Sequence, residues 1–370
     1  MKRISALILT GLLCAAAWAQ SAGAPPRPPA SKPAAPTVRA VLIAGLGGTK
    51  AYSRNLLDWT NRFHAVLTKR CGVPAKNIIV LTEAADAKAK PPRIKATVEN
   101  IRQALAKTAL AIRDQDQFVL FMAGHGQINE PVGKLCLPGL DLTADDLADM
   151  IDALPTDNMV IINCSSGGAE FIKTLAVPGR VLISGAGAGN DGTQAYFAEF
   201  LLRAYETGQA DANKDKVIDL MEAFVYAARE TGNFYHRQYL IPAGGRPVAG
   251  AANTWHVQGK QTRAIWRKLY AGTNNKLGMP APVAGEPAPP DPDTVPDAQP
   301  KFGRFDKHWH NRRVLAEHAR IDDDGGRKGF FLWQPYKFQK LPPDTPGSVG
   351  FLARRTVLGK PKLLKRPVGK

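Results

Sequence analysis

The sequence predicts an α/β fold: a mainly parallel sheet with helices packed on both faces. Three observations carry that prediction. Short apolar runs recur along the chain, at 41–44, 77–82, 118–123, 159–163 and 180–184. Most are unbroken rather than alternating, which is the pattern of strands buried on both faces. Segments of helical spacing separate them, and strand–helix alternation of this kind builds a parallel sheet. Two runs also end in a reactive side chain flanked by glycine: His125 after Phe118–Gly124, and Cys164 before Ser165-Ser166-Gly167-Gly168. Ligands of parallel α/β sheets bind at the carboxyl ends of the strands, so both side chains are expected at one rim.

The elements follow in order. The first strand, Val41–Ala44, ends in Gly45-Leu46-Gly47-Gly48 and feeds a helix, and Asn77–Thr82 forms the second strand. Arg93 to Ile112 carries Ile94, Val98, Ile101, Leu105 and Leu110 at spacings that predict one buried helical face. Lys134–Pro138 predicts a short edge strand. Thr143 followed by Asp145 and Asp146 predicts an N-cap with acids in the first turn, opening a helix to Ala153. Arg180–Ser184 is a further strand, and Thr193–Glu206 and Leu220–Glu230 are helices. The glycines before Lys50 match neither the P-loop nor the dinucleotide-binding spacing.

Around this region the chain divides by composition. Residues 1–19 have the charged start, apolar middle and Ala17-Trp18-Ala19 exit of a secretory signal peptide, which predicts a periplasmic or secreted protein beginning near Gln20. Residues 20–37 form a Pro/Ala-rich linker, 38–240 the α/β domain, and 241–300 a Gly/Ala/Pro-rich insertion or linker. Residues 301–350 form a C-terminal segment, and 351–370 a basic tail, read as a mobile electrostatic arm. The chain has 370 residues and 49 Lys and Arg against 32 Asp and Glu, a formal charge of +17. In an exported protein that charge points to anionic envelope polymers or a lipid surface and to no specific nucleic acid. Cys71, Cys136 and Cys164 remain after signal removal, so an oxidising compartment leaves at least one thiol unpaired. Cys164 fits that role, with Cys71 and Cys136 either paired or separately buried.

A His and a Cys on one rim can form a thiolate–imidazole pair, the activated nucleophile of a cysteine hydrolase. The motifs His125-Gly126 and Cys164-Ser165-Ser166-Gly167, with the order of strands around them, resemble the caspase-like fold of caspases, metacaspases and legumain over residues 38–240. The first strand with Tyr52 and Arg54 resembles the start of legumain, and Glu317–Arg327 resembles an Asp/Gly turn that bacterial legumain-like chains carry after the catalytic core. The resemblance implies that 38–240 is a caspase-like catalytic domain, a three-layer sandwich and a cysteine endopeptidase with a Cys–His dyad: Cys164 the nucleophile, His125 its acid–base partner. It implies oxyanion donors at the Cys164 and Gly126 N–H groups, a substrate groove lined by Tyr52 and Arg54, and no cofactor for catalysis. The positive charge of Lys50 or Arg54 suits an acidic or amide substrate side chain, Asp or Asn, and Asn163 is a further expected substrate contact. Two positions depart from the family pattern. Ile162 stands where legumains carry Glu and metacaspases Asp, and Gly47 stands nearest the Asn that orients the catalytic His of legumains. These departures leave a second reading, a catalytically inactive caspase-like binding module.

A second chemical signal lies between the last two helices of the core. Asp211, Asn213, Asp215, Asp219 and Glu222 occupy positions one, three, five, nine and twelve of a calcium loop, with the carbonyl of Val217 at seven. Lys216 holds the sixth position, where glycine is usual. The expected ion is a structural calcium, and the competing reading is an acidic turn that caps the next helix.

Overall fold

The computed structural model describes residues 35–127, 132–186, 195–239, 319–334, 337–338 and 340–361. The predicted signal peptide, most of the following linker and the segment 241–300 lie outside the described residues. So does the start of the C-terminal segment.

The described core is an α/β sandwich with a mostly parallel central sheet. Its strands are β1 (Val38–Ala44), β2 (Ile78–Thr82), β3 (Ile94–Lys95), β4 (Gln117–Gly124), β8 (Met159–Ser165), β9 (Arg180–Ser184) and β10 (Arg320–Asp322). They lie in the order β10-β9-β8-β4-β1-β2-β3. All neighbours pair in parallel except β10, which is antiparallel to β9. A small antiparallel sheet of β5 (Gly126–Gln127), β6 (Lys134–Leu135) and β7 (Leu142–Thr143) stands beyond the carboxyl end of β4. The edge strand predicted at Lys134 is its middle member.

Among the described residues six α-helices cover the two faces: α1 (Lys50–Ala65), α2 (Val98–Ala109), α3 (Ala144–Asp152), α4 (Gly168–Leu175), α5 (Phe197–Thr207) and α6 (Leu220–Tyr239). Successive strand residues point to opposite faces, so each strand feeds two cores. Leu42, Phe121, Ile162 and Cys164 pack with Leu56 of α1, Phe197 of α5 and Phe224 of α6. Val41, Leu120 and Ile161 pack with Ile101 of α2, Leu147 of α3 and Phe171 of α4. This two-sided burial is why the central runs are continuously apolar. Threonines open three helices by accepting a backbone N–H: Thr49 from Tyr52, Thr97 from Asn100 and Thr143 from Asp146.

The helix expected over 93–112 is shorter than its periodicity suggested. Ile94 and Lys95 pair with Leu81 and Thr82 as an edge strand, and Thr97 caps the helix in an extended conformation. Ile94 is 45% exposed and Leu110, past the helix end, 91% exposed, while Ile101 and Leu105 are buried. Helical α6 runs on to Tyr239, past the Glu230 expected as its end.

The C-terminal segment folds onto the core. Besides the pairing of β10, Asp323 is 5% exposed and accepts the N–H groups of Gly350 and Ala353 at 2.6 and 2.7 Å. Gln117 of β4 donates to the Val357 carbonyl and accepts from the Gly359 N–H. Ala353 and Leu358 are buried. Residues 351–361 are therefore not the mobile arm read from their charge. Apolar positions and backbone polar groups among the cations hold them down, and 362–370 lie outside the described residues.

Candidate active site

Strands β4 and β8 are direct neighbours, and their register sets Ala123 opposite Cys164 and Gly124 opposite Ser165. His125 is thus two residues beyond the Cys164 partner. Its backbone is pinned by two loops: its N–H donates to the Leu46 carbonyl at 3.3 Å, and its carbonyl accepts from Cys136 N at 2.9 Å. The imidazole Nε2 lies 3.0 Å from the Gly47 carbonyl oxygen. A carbonyl only accepts, so this bond puts the proton on Nε2 and leaves Nδ1 as the basic nitrogen of a neutral ring.

The imidazole lies against Tyr52, ring centroids 5.0 Å apart. Tyr52 and Cys164 belong to the same buried cluster, so His125 and Cys164 share the face covered by α1, α5 and α6. Cys164 is fully buried, and no disulfide joins any of Cys71, Cys136 and Cys164. Burial pushes the Cys71 thiol up to about 11, against a smaller opposing effect of the Lys360 charge. Burial, reinforced by Asp141, also raises Cys136. Both of these thiols are therefore held protonated near neutral pH.

Gly47 is where the sequence lacked an orienting side chain. A Cβ there would lie 2.4 Å from Ser53 N. The tight turn into α1 excludes a side chain and offers the backbone carbonyl to His125 instead. No residue type encodes a carbonyl, which is why the sequence could not reveal this partner.

Ser166 is a second residue that sequence reasoning passed over. Its Oγ accepts the Gly126 N–H at 2.9 Å and donates to the Gly126 carbonyl at 3.3 Å. Gly126 fits only as glycine, because a Cβ would lie 2.4 Å from Gly167 N. The loops carrying His125 and Cys164 are tied at this point. The Gly126 N–H expected to face an oxyanion is donated to Ser166 in this arrangement. The signal was its place two residues after Cys164, beside a glycine pair.

The expected substrate residues divide. Tyr52 is fully buried, and its hydroxyl accepts the Ala195 N–H and donates to the Ala195 carbonyl, both at 3.0 Å. It fastens the start of α5 rather than lining a groove. Asn163 is 3% exposed and lies on the strand face opposite Cys164. Its Oδ1 accepts the Ser165 N–H at 3.0 Å, so it shapes the turn after the strand instead of contacting substrate. Lys50 and Arg54 are exposed on the first turns of α1. They line a groove of about 990 Å³ with Leu46, Gly48, Glu83 and Asp86.

The loop Asp211–Glu222 follows the predicted path between α5 and α6. Lys216 takes the left-handed conformation, φ 66°, expected of the sixth position. Asp211 accepts the Lys216 N–H at 3.0 Å, and Asp219 accepts the Glu222 N–H at 2.8 Å. Glu222 turns both oxygens onto the loop itself, taking N–H groups of Ala212, Asn213 and Asp219. Asn213 and Asp215 likewise accept N–H groups of Asp215 and Val217. Among the described residues no group of three or more His, Cys, Asp or Glu side chains is gathered closely enough to hold a metal ion.

No protein-family model matches the sequence. Over 147 residues the chain is 32% identical to Metacaspase-4 of Arabidopsis thaliana, covering 36% of this chain and 34% of that protein. Over 143 residues it is 29% identical to Metacaspase-6 of the same plant, covering 34% and 38%. The chain thus spans about a third of the length of the curated relatives it matches. A solved structure, that of protein GSU0716 from Geobacter sulfurreducens, aligns at a TM-score of 0.38 and 17% identity over 53% of this chain and 89% of that one. The metacaspase matches support a relationship to the caspase-like cysteine peptidases.

Proposed function

We propose that the protein is an exported cysteine endopeptidase that uses Cys164 as nucleophile and His125 as its acid–base partner. The observation that carries this reading is the register of β4 and β8, which brings the His and Cys loops together at one rim and on one face. His125 Nδ1 takes the thiol proton, and the thiolate attacks the scissile carbonyl. The tetrahedral intermediate collapses to a thioester as the imidazolium protonates the departing amine. Water, deprotonated by the same nitrogen, then releases the acid and the thiol. The oxyanion is held by the Cys164 N–H and, once Ser166 Oγ turns away, by the Gly126 N–H. Incubating the protein with a broad peptide library and reading products by mass spectrometry tests this. Cleavage that vanishes in Cys164→Ala supports it, and no cleavage by the unaltered protein refutes it.

The engagement of Gly126 by Ser166 favours a second reading, a caspase-like binding module without activity. Protein or peptide is the partner in both. Export rests on residues 1–19, and N-terminal sequencing of protein secreted by its host should find Gln20 first. The charge of +17 fits an anionic envelope polymer or lipid surface as a further partner. Sedimentation with anionic vesicles should then fall as salt rises.

A structural calcium ion in the Asp211–Glu222 loop is the last part of the proposal. It rests on the loop path and on Asp211 Oδ1, which is buried without a hydrogen-bond partner. Asp211, Asn213, Asp215, the Val217 carbonyl, Asp219 and Glu222 would hold it, Glu222 exchanging its backbone bonds for the ion. Millimolar calcium is expected to raise the melting temperature of chelator-treated protein, and less so in Asp211→Asn. An unchanged melt removes the site.

A further inference from the structure

Tyr52 is fixed at both ends. Its N–H donates to Thr49 Oγ1 at 3.2 Å, and its hydroxyl exchanges hydrogen bonds of 3.0 Å with the carbonyl and N–H of Ala195. Between those ends the ring is fully buried, with Trp59 edge-on at 5.9 Å and Tyr196 at 6.5 Å between centroids. Trp59 is anchored in turn by its indole N–H, which donates to Glu199 at 3.0 Å. A side chain fastened in this way and walled by two aromatic rings cannot change rotamer without breaking those contacts.

The imidazole of His125 lies against this fixed ring, centroids 5.0 Å apart and planes tilted by 49°. Two glycines meet its Nε2 edge. The Gly47 carbonyl takes the Nε2 hydrogen bond at 3.0 Å, and a Cβ on Gly48 would come within 3.3 Å of the same nitrogen. One hydrogen bond places an atom but not a plane. The imidazole could still turn about that bond, and a χ2 rotation would carry both nitrogens to new places. The phenol face supplies the missing constraint, because a turning imidazole would drive an edge into it.

We infer that Tyr52 is a positioning residue for His125. Its ring fixes the plane of the imidazole, so that Nε2–H stays on the Gly47 carbonyl and Nδ1 stays the basic nitrogen. The hydroxyl does a separate job, holding Ala195 just before α5. The inference rests on the peptidase reading for the use made of Nδ1, but the orientation it describes needs no catalysis.

The test separates ring from hydroxyl in the full-length protein. Tyr52→Phe keeps the ring and loses the Ala195 bonds, whereas Tyr52→Leu loses both. With isotopically labelled histidine, long-range proton–nitrogen spectra of the neutral ring read its tautomer, and His125→Ala identifies its signals. A single Nε2–H tautomer is expected in the unaltered protein and in Tyr52→Phe, and a mixture of both tautomers in Tyr52→Leu. Tyr52→Met carries the same readout should the leucine variant not fold. On a peptide that the unaltered protein cleaves, kcat is expected to fall about a hundredfold in Tyr52→Leu with KM unchanged, the scale of a misplacement of about 1 Å. Tyr52→Phe should restore most of that loss although it too is less stable than the unaltered protein. A single Nε2–H tautomer in Tyr52→Leu, or a mixed one in Tyr52→Phe, would overturn the inference. A tautomer that responds as expected in a protein that cleaves nothing would refute the catalytic reading alone.

Discussion

Cys164→Ala is expected to lower peptide cleavage by about four orders of magnitude or more, as loss of a nucleophile does in hydrolases built on an acid–base pair. His125→Ala should fall nearly as far, and the double variant no further than the worse single one, because the two groups act as a unit. Cys164 lies in the buried cluster with Phe121 and Phe197. Removing its sulfur therefore costs about 1 kcal/mol of stability, well inside the margin of about 5–15 kcal/mol typical of a folded domain. The circular dichroism spectrum and a near-native melt should persist while activity disappears. A variant that retains cleavage would move the nucleophile elsewhere.

The largest expected loss of stability is at Asp323. Its carboxylate accepts the Gly350 and Ala353 N–H groups at 2.6 and 2.7 Å in a buried setting. Asp323→Ala leaves both donors without their acceptor and should cost about 2–4 kcal/mol, read by urea denaturation. The pH dependence has a definite sign. Burial raises the Asp323 carboxyl above its ordinary value, outweighing the backbone N–H groups that favour the anion. The folded state therefore holds this proton more tightly than the unfolded chain. The stabilising contribution is fully present below the ordinary aspartate range and declines as pH rises through the raised folded value. The gap between the unaltered protein and Asp323→Ala should narrow over that window. A gap that widens would mean the carboxylate is preferred in the fold.

The strands were legible because burial on both faces leaves a plain record: Phe118–Met122 and Met159–Ile162 are apolar at every position. The reactive ends were legible too, since His125 and Cys164 each follow such a run beside glycine. The Thr143 cap could be read from the acids behind it. What escaped the sequence depends on contacts between distant segments. The Gly47 carbonyl has no letter of its own, and Ser166 resembles any serine until Gly126 is set against it. Tyr52, by resemblance, and Asn163, by its place beside Cys164, are expected at the substrate. Burial, the Ala195 backbone and the Ser165 turn claim them instead. Ile94 satisfied a helical period yet was drawn into an edge strand by Leu81. The charge of Arg354 and Arg355 suggested a solvated arm, but Asp323 and Gln117 hold the backbone around them by groups that net charge does not reveal.

The central claim is that His125 and Cys164 form a working pair. Its most direct measurement is the pH dependence of Cys164 alkylation by iodoacetamide, followed residue by residue by mass spectrometry. Cys71 and Cys136 have raised thiol pKa values and serve as slow internal references. A paired cysteine reacts below the range of a simple thiol, near 8.5, because the neighbouring imidazole lowers its pKa. Cys164 is predicted to react faster at neutral pH than both references and a model thiol, and His125→Ala is predicted to abolish that advantage. Alkylation of Cys164 at or below the rate of the model thiol, unchanged in His125→Ala, would contradict the pair.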